Sequence, residues 1–127
     1  MNIELAREGA EVEAQLRQLD ESLALSRVGG DVDLLKEVIG LFLDDYPDTF
    51  EKIKSAVEAS DPTALERHAH SLKGSVSTFG AARAFEAALA LEKQGRERDL
   101  RDAKEGVFQL EQALKALRPE LETLQAK

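Results

Sequence analysis

His70 is the side chain of this sequence best equipped for chemistry, and its neighbours narrow down which chemistry. The chain has two histidines, at positions 68 and 70. At about 100° of rotation per helical residue, Leu65, His68, Ala69, Leu72, Val76 and Phe79 share one arc. That arc predicts a buried stripe with His68 packed into it. His70 points the opposite way, into solvent, and Lys73, Gly74 and Ser77 follow on its face at i+3, i+4 and i+7. A neutral imidazole, with an unperturbed pKa of about 6.5, carries a lone pair on one ring nitrogen at neutral pH. It can attack phosphorus, and the N–P bond formed stays reactive enough to pass the group on. Lys73 at i+3 and Arg67 at i−3 can supply positive charge, and Ser71, Ser77 and Thr78 can supply hydroxyl donors. A mid-helix glycine costs about 1 kcal/mol relative to alanine. At Gly74 the close approach of a large partner would explain that cost.

Other chemistries lack a necessary part. Residues two apart on a helix diverge by about 200°, so His68 and His70 cannot share one metal ion. Glu66 and Glu92 could be imagined as ligands, but bundle metal sites also need a second inward histidine, and cysteine is absent. Ser71 and Ser75 read as ordinary helical hydroxyls without an orienting acid or oxyanion donors. Gly29-Gly30 precedes a helix without the lysine of a phosphate loop, so no nucleotide site is expected. The chain is therefore expected to be no enzyme in the usual sense, with no cofactor and no metal of its own.

The elements that must position His70 read as helices throughout. Residues 2–19 form a polar helix with a thin apolar stripe at Ile3, Leu5, Val12, Leu16 and Leu19. A short helical piece over 22–27 stops at Gly29-Gly30. Asp31 caps a long helix carrying Leu34, Leu35, Val38, Ile39, Leu41, Phe42 and Leu43, kinked at Pro47 and resuming through Phe50, Ile53 and Val57. Asp61-Pro62 starts the His70 helix, which ends near Phe79 with Gly80 as its left-handed terminator. The next helix covers 81–94, with Phe85, Ala88, Leu89 and Leu91 inward and Gly95 ending it.

The last helix starts at about Asp99 and carries a heptad-like seam, Leu100, Ala103, Val107, Leu110, Leu114, Leu117, Leu121 and Leu124, with a bend near Pro119. The seam suits a coiled-coil dimer or, the reading favoured, one helix of an intramolecular bundle. Short connections make neighbours antiparallel. The expected fold is all-α: an up-down antiparallel four-helix bundle over residues 20–127, with residues 1–19 as a helical extension or linker.

Composition agrees with that class. The 127 residues are 43% hydrophobic but only 5% aromatic, without tryptophan, which suits aliphatic helix packing. A net charge of −8 disfavours phosphate backbones and anionic lipid, so neither nucleic acid nor a membrane is an expected partner. Glu4, Glu8, Glu11 and Glu13 leave no apolar signal-peptide core. No apolar run approaches the roughly 20 residues of a membrane span. A soluble, cytoplasmic monomer is expected.

The segment His68-Ala69-His70-Ser71-Leu72-Lys73-Gly74-Ser75, followed by Phe79-Gly80-Ala81, resembles the signature of histidine-containing phosphotransfer (HPt) domains. Ala24-Leu25-Ser26-Arg27-Val28-Gly29-Gly30-Asp31, Leu41-Phe42-Leu43 and Leu91-Glu92 with Gly95 also resemble the family. The match runs over roughly residues 20–118 and leaves residues 1–19 outside it. The resemblance implies that His70 is the phosphorylated residue, that Lys73 stabilises the phosphoryl group, and that Gly74 opens space for a response-regulator receiver domain. It also implies a polar side chain on the next helix holding the other imidazole nitrogen. Glu92 stands where many relatives carry glutamine, with Arg96 one turn on.

The function implied is a phosphorelay carrier, moving a phosphoryl group between receiver aspartates of a hybrid sensor kinase and a downstream regulator. The Mg²⁺ for transfer would sit on the receiver. Sensor-kinase dimerisation helices differ, carrying an acidic residue and a proline where Ser71 and Ser75 stand. Three alternatives remain: a non-phosphorylated helical adaptor, an oligomerisation module, and a phosphoacceptor domain excised from a larger hybrid or chemotaxis-type kinase.

Overall fold

Three aspartates start three of the helices. In the computed structural model, which describes residues 18–127, the carboxylates of Asp20, Asp31 and Asp61 accept hydrogen bonds from the backbone N–H groups of Leu23, Leu34 and Ala64 at 3.0, 3.1 and 3.1 Å. Each satisfies an otherwise orphaned donor and contributes about 1 kcal/mol to its helix. The helices are α1 (Glu21–Arg27), α2 (Val32–Glu58), α3 (Pro62–Ser77), α4 (Ala82–Arg96) and α5 (Ala103–Ala126). No strand forms among the described residues.

The four long helices close into a ring, α2 against α3, α3 against α4, α4 against α5 and α5 back against α2, with α1 resting on α2. This is the expected all-α, up-down four-helix bundle. Ile39 and Ile53 of α2, Leu65 and Leu72 of α3, Leu91 of α4 and Leu110, Leu117 and Leu121 of α5 are fully buried at its centre. Phe79 closes one end, edge-on to Phe42 at 5.2 Å between ring centroids. Most of the heptad-like seam is consumed inside the chain: Ala103, Leu110, Leu114, Leu117, Leu121 and Leu124 are buried in this core, while Val107 and Leu100, which precedes α5, are half-buried against it.

Several local expectations are corrected. The expected helix over residues 2–19 lies almost wholly outside the described residues. Its last two are not helical: the N–H groups of Gln18 and Leu19 donate to the Glu120 carboxylate on α5. As expected, the helical pattern resumes past Pro47: α2 spans both sides of it, and α5 spans both sides of Pro119. Both prolines are exposed, on the side of the helix where a missing N–H costs least. Gly95 does not terminate α4, which continues to Arg96. Its missing side chain instead lets α4 cross α3, because a Cβ there would stand 2.7 Å from both the Pro62 carbonyl oxygen and the Glu66 nitrogen. The left-handed residue after α4 is Arg98 (φ 57°), and α5 starts at Ala103 rather than Asp99. Phe85 and Leu89 are only half-buried. The inward face of α4 is Ala84, Ala88, Leu91, Glu92 and Gly95. His68 lies at the margin of the α3 stripe, half-buried rather than in the core. Partial burial, then the Arg67 and Lys52 charges, lowers its pKa against the opposing pull of Asp61.

Candidate functional site

Helix α3 buries Leu65, Ala69, Leu72 and Val76, so residue 70 must face outward. The His70 side chain is 69% exposed. One edge of its ring turns back to α4, where Nδ1 lies 3.3 Å from Glu92 Oε2. Lys73, one turn along α3, reaches the same oxygen with its Nζ at 2.9 Å. The other carboxylate oxygen, Oε1, accepts from an Arg96 Nη at 2.5 Å. Arg96 also donates from Nε to Glu66 on α3 at 3.1 Å. Glu92 is thus a carboxylate with only 3% of its side chain exposed and three cationic or titratable partners.

The partners decide its charge. Burial, the largest single influence, opposes ionisation of Glu92, but hydrogen bonds from Lys73 and His70, with their charges, more than offset it. The net effect holds the carboxyl below its ordinary pKa. An ionised carboxylate only accepts hydrogen bonds. The His70 nitrogen facing it must therefore carry the proton, an assignment made from the hydrogen-bond network. That leaves Nε2, at the far side of an exposed ring, with the free lone pair.

The remaining sequence candidates fall at different distances from this centre. Arg67 is exposed and lines a shallow depression with Thr63, Glu66, His70, Glu92 and Arg96. Ser71 is exposed, and its backbone carbonyl accepts from the Ser75 hydroxyl at 3.2 Å. Ser77 is turned to α1 instead, accepting from Arg27 at 3.4 Å. Gly74 is exposed, and a Cβ built on it would meet nothing within 4 Å. Among the described residues, none requires a glycine there. Gly40, Gly80, Gly95 and Gly106 differ, each facing another atom within 3.0 Å.

The pairing of Glu66 with Arg96 goes beyond the sequence expectation, in which Glu66 figures only as a conceivable metal ligand. Its position at i−4 from His70 was the available signal. Among the described residues, no cluster of three or more His, Asp or Glu side chains is placed to hold a metal ion. No helix among them is long and apolar enough to cross a membrane.

An apolar groove runs between α2 and α3, on the side of α3 turned away from α4. Val38, Leu41, Phe42, Leu72, Ser75 and Thr78 line it, and Leu41 is 64% exposed at its edge. Ser75 lies five residues beyond His70, about 7.5 Å along the helix axis. Gly74 stands between the two.

A sequence model of the Hpt domain matches residues 37–120 of the chain. No curated protein sequence matches it significantly. Among solved structures, the chain is similar to the crystal structure of histidine-containing phosphotransfer protein B from Pseudomonas aeruginosa PAO1. The TM-score is 0.80 at 25% identity, over 86% of this chain and 95% of that one. It is also similar in fold to the HPT domain of an Hpt sensor hybrid histidine kinase from Shewanella. There the TM-score is 0.76 at 20% identity, over 87% of this chain and 96% of that one.

Proposed function

The chain belongs to the Hpt domain family, the histidine phosphotransfer carriers of two-component signalling, and on that premise we propose that His70 shuttles a phosphoryl group between receiver-domain aspartates. The observation that carries the proposal is an exposed imidazole whose inner nitrogen is bonded to a buried carboxylate, with a lysine on the same oxygen. Nε2 of His70 attacks the phosphorus of an aspartyl phosphate. The P–O bond to that aspartate breaks, and its electron pair returns to the carboxylate. The proton on Nδ1 stays in the hydrogen bond to Glu92, so the leaving nitrogen in the next step is part of a protonated ring. A second aspartate then attacks phosphorus, and the N–P electrons return to Nε2.

A histidine on a convex helix cannot enclose a reaction, so the partner supplies the cleft. The receiver's acidic pocket would bring the Mg²⁺, and this chain would bring the nucleophile and Lys73 as counter-charge. Gly74 gives the partner clearance, and the groove edged by Leu41 gives it an apolar footing. In this reading the two receivers belong to a hybrid sensor kinase and a downstream regulator, and the chain acts as a cytoplasmic monomer without a nucleotide site.

Incubation with a phosphorylated receiver domain tests it. Wild type and His68→Gln should acquire an acid-labile, base-stable phosphate, and His70→Gln should not. Label persisting in His70→Gln would sink the assignment.

A further inference from the structure

In the resting chain Lys73 is not free to meet a phosphoryl group, because its ammonium lies 2.9 Å from the buried Glu92 carboxylate. A phosphoryl group on His70 would pull that ammonium toward a second anion. If Lys73 were the only strong partner of Glu92, answering that pull would strand a buried charge, which is strongly destabilising. The chain holds a second cation on the opposite oxygen. The guanidinium of Arg96 lies 2.5 Å from Glu92 Oε1 and cannot lose its charge. Its Nε is tied at 3.1 Å to Glu66 on α3. The i,i+4 spacing of Glu92 and Arg96 on α4 sets this pair within one helix, so it persists whatever α3's lysine does.

We propose that Arg96 is the standing counter-ion of Glu92, a positioning residue that frees Lys73 to follow the phosphoryl group onto His70. The proposal rests on the reading that His70 is phosphorylated. Arg96 touches neither the ring nor the group transferred, and acts through Glu92 on where Lys73 can go. In the resting state Glu92 Oε2 is shared by Lys73 and His70. In the phosphorylated state Lys73 turns to the phosphoryl oxygens, the Nδ1–H of His70 keeps Oε2, and Arg96 keeps Oε1. No bond other than P–O and N–P changes, and the buried carboxylate is never without a positive partner. Glu92, Lys73, Arg96, Arg67 and Glu66 are the charged groups that face this ring from α3 and α4.

The test uses the whole chain and potassium phosphoramidate, a small donor that requires no docking. Arg96→Met should slow labelling of His70 on the order of ten-fold, less than loss of a donor in a dry site would give. Lys73→Met should slow it at least as much, and the double variant should be no slower than Lys73→Met alone, since both act through one ammonium. Arg96→Lys should recover most of the rate. The ¹⁵N shifts of His70 should keep the Nδ1–H tautomer in Arg96→Met, because Glu92 and Lys73 remain. An Arg96→Met rate equal to wild type, multiplicative losses in the double variant, or a lost tautomer would each overturn the proposal. A wild type that takes no label at His70 is a different result: it overturns the carrier reading and this one with it.

Discussion

Replacing Gly74 with glutamine should stabilise the fold and at the same time impair transfer from a docked receiver. Gly74 lies within α3, is exposed, and has nothing within 4 Å of the position a Cβ would take. Glycine is about 1 kcal/mol worse than alanine in a helix interior and glutamine is nearly as good as alanine, so the variant should gain roughly 0.5–1 kcal/mol. For a chain of this size that corresponds to a rise in Tm of about 2–5 °C. At a docked surface the same side chain fills space that a partner's backbone would occupy. Overpacking costs about 1–3 kcal/mol, which at 1.4 kcal/mol per factor of ten slows transfer by roughly 5- to 150-fold. Transfer from phosphoramidate, which needs no docking, should stay near wild type. Thermal unfolding by circular dichroism and rapid-quench transfer from a phosphorylated receiver read the two effects separately. A Gly74→Gln chain that is more stable and transfers from the receiver at the wild-type rate would refute the clearance role. A chain that is less stable would refute the claim that no local packing needs this glycine.

Two other outcomes follow from the same geometry. Leu41→Glu, at a side chain 64% exposed beside the groove, should leave stability within about 0.5 kcal/mol. It should weaken receiver binding by about ten-fold, roughly what losing one apolar anchor costs, and titration calorimetry returning an unchanged Kd would remove the groove from the docking face. The Glu92 carboxyl is held below its ordinary value of 4.5, with burial opposing the shift and the bonds from Lys73 and His70 outweighing it. A depressed folded value means the contribution is fully present above the unfolded pKa and is lost as pH falls through the folded one. Stability should therefore decline below about pH 4.5 more steeply in wild type than in Glu92→Gln. Urea denaturation at stepped pH checks this, and equal slopes would contradict it.

The parts of this fold that were legible in the sequence are those governed by local chemistry. Asp31, Asp61 and the left-handed Gly29, Gly30 and Gly80 act on their own backbone, so their types and positions announce helix ends. Gly95 reads as a helix terminator in the sequence because a glycine kept for φ > 0 and one kept for close helix approach look the same in one dimension. Non-glycine residues, Ser60 (φ 52°) and Arg98 (φ 57°), took two of the left-handed turns, against the usual preference. The face of His70 could be read from helical rotation alone. The ionic cluster could not, because Glu92 meets Lys73 and Arg96 meets Glu66 only once α3 and α4 pair at a definite register. Helical periodicity places each side chain on its own helix but leaves that register open.

In the proposed transfer, Glu92 holds the proton on Nδ1 and leaves Nε2 of His70 as the attacking atom. Combined ³¹P and ¹⁵N NMR of the chain phosphorylated by a receiver domain tests this most directly. One phosphoryl group on His70 is expected, with phosphorus–nitrogen coupling to Nε2 and the proton on Nδ1. Phosphorus bonded to Nδ1, or carried by His68, would contradict it.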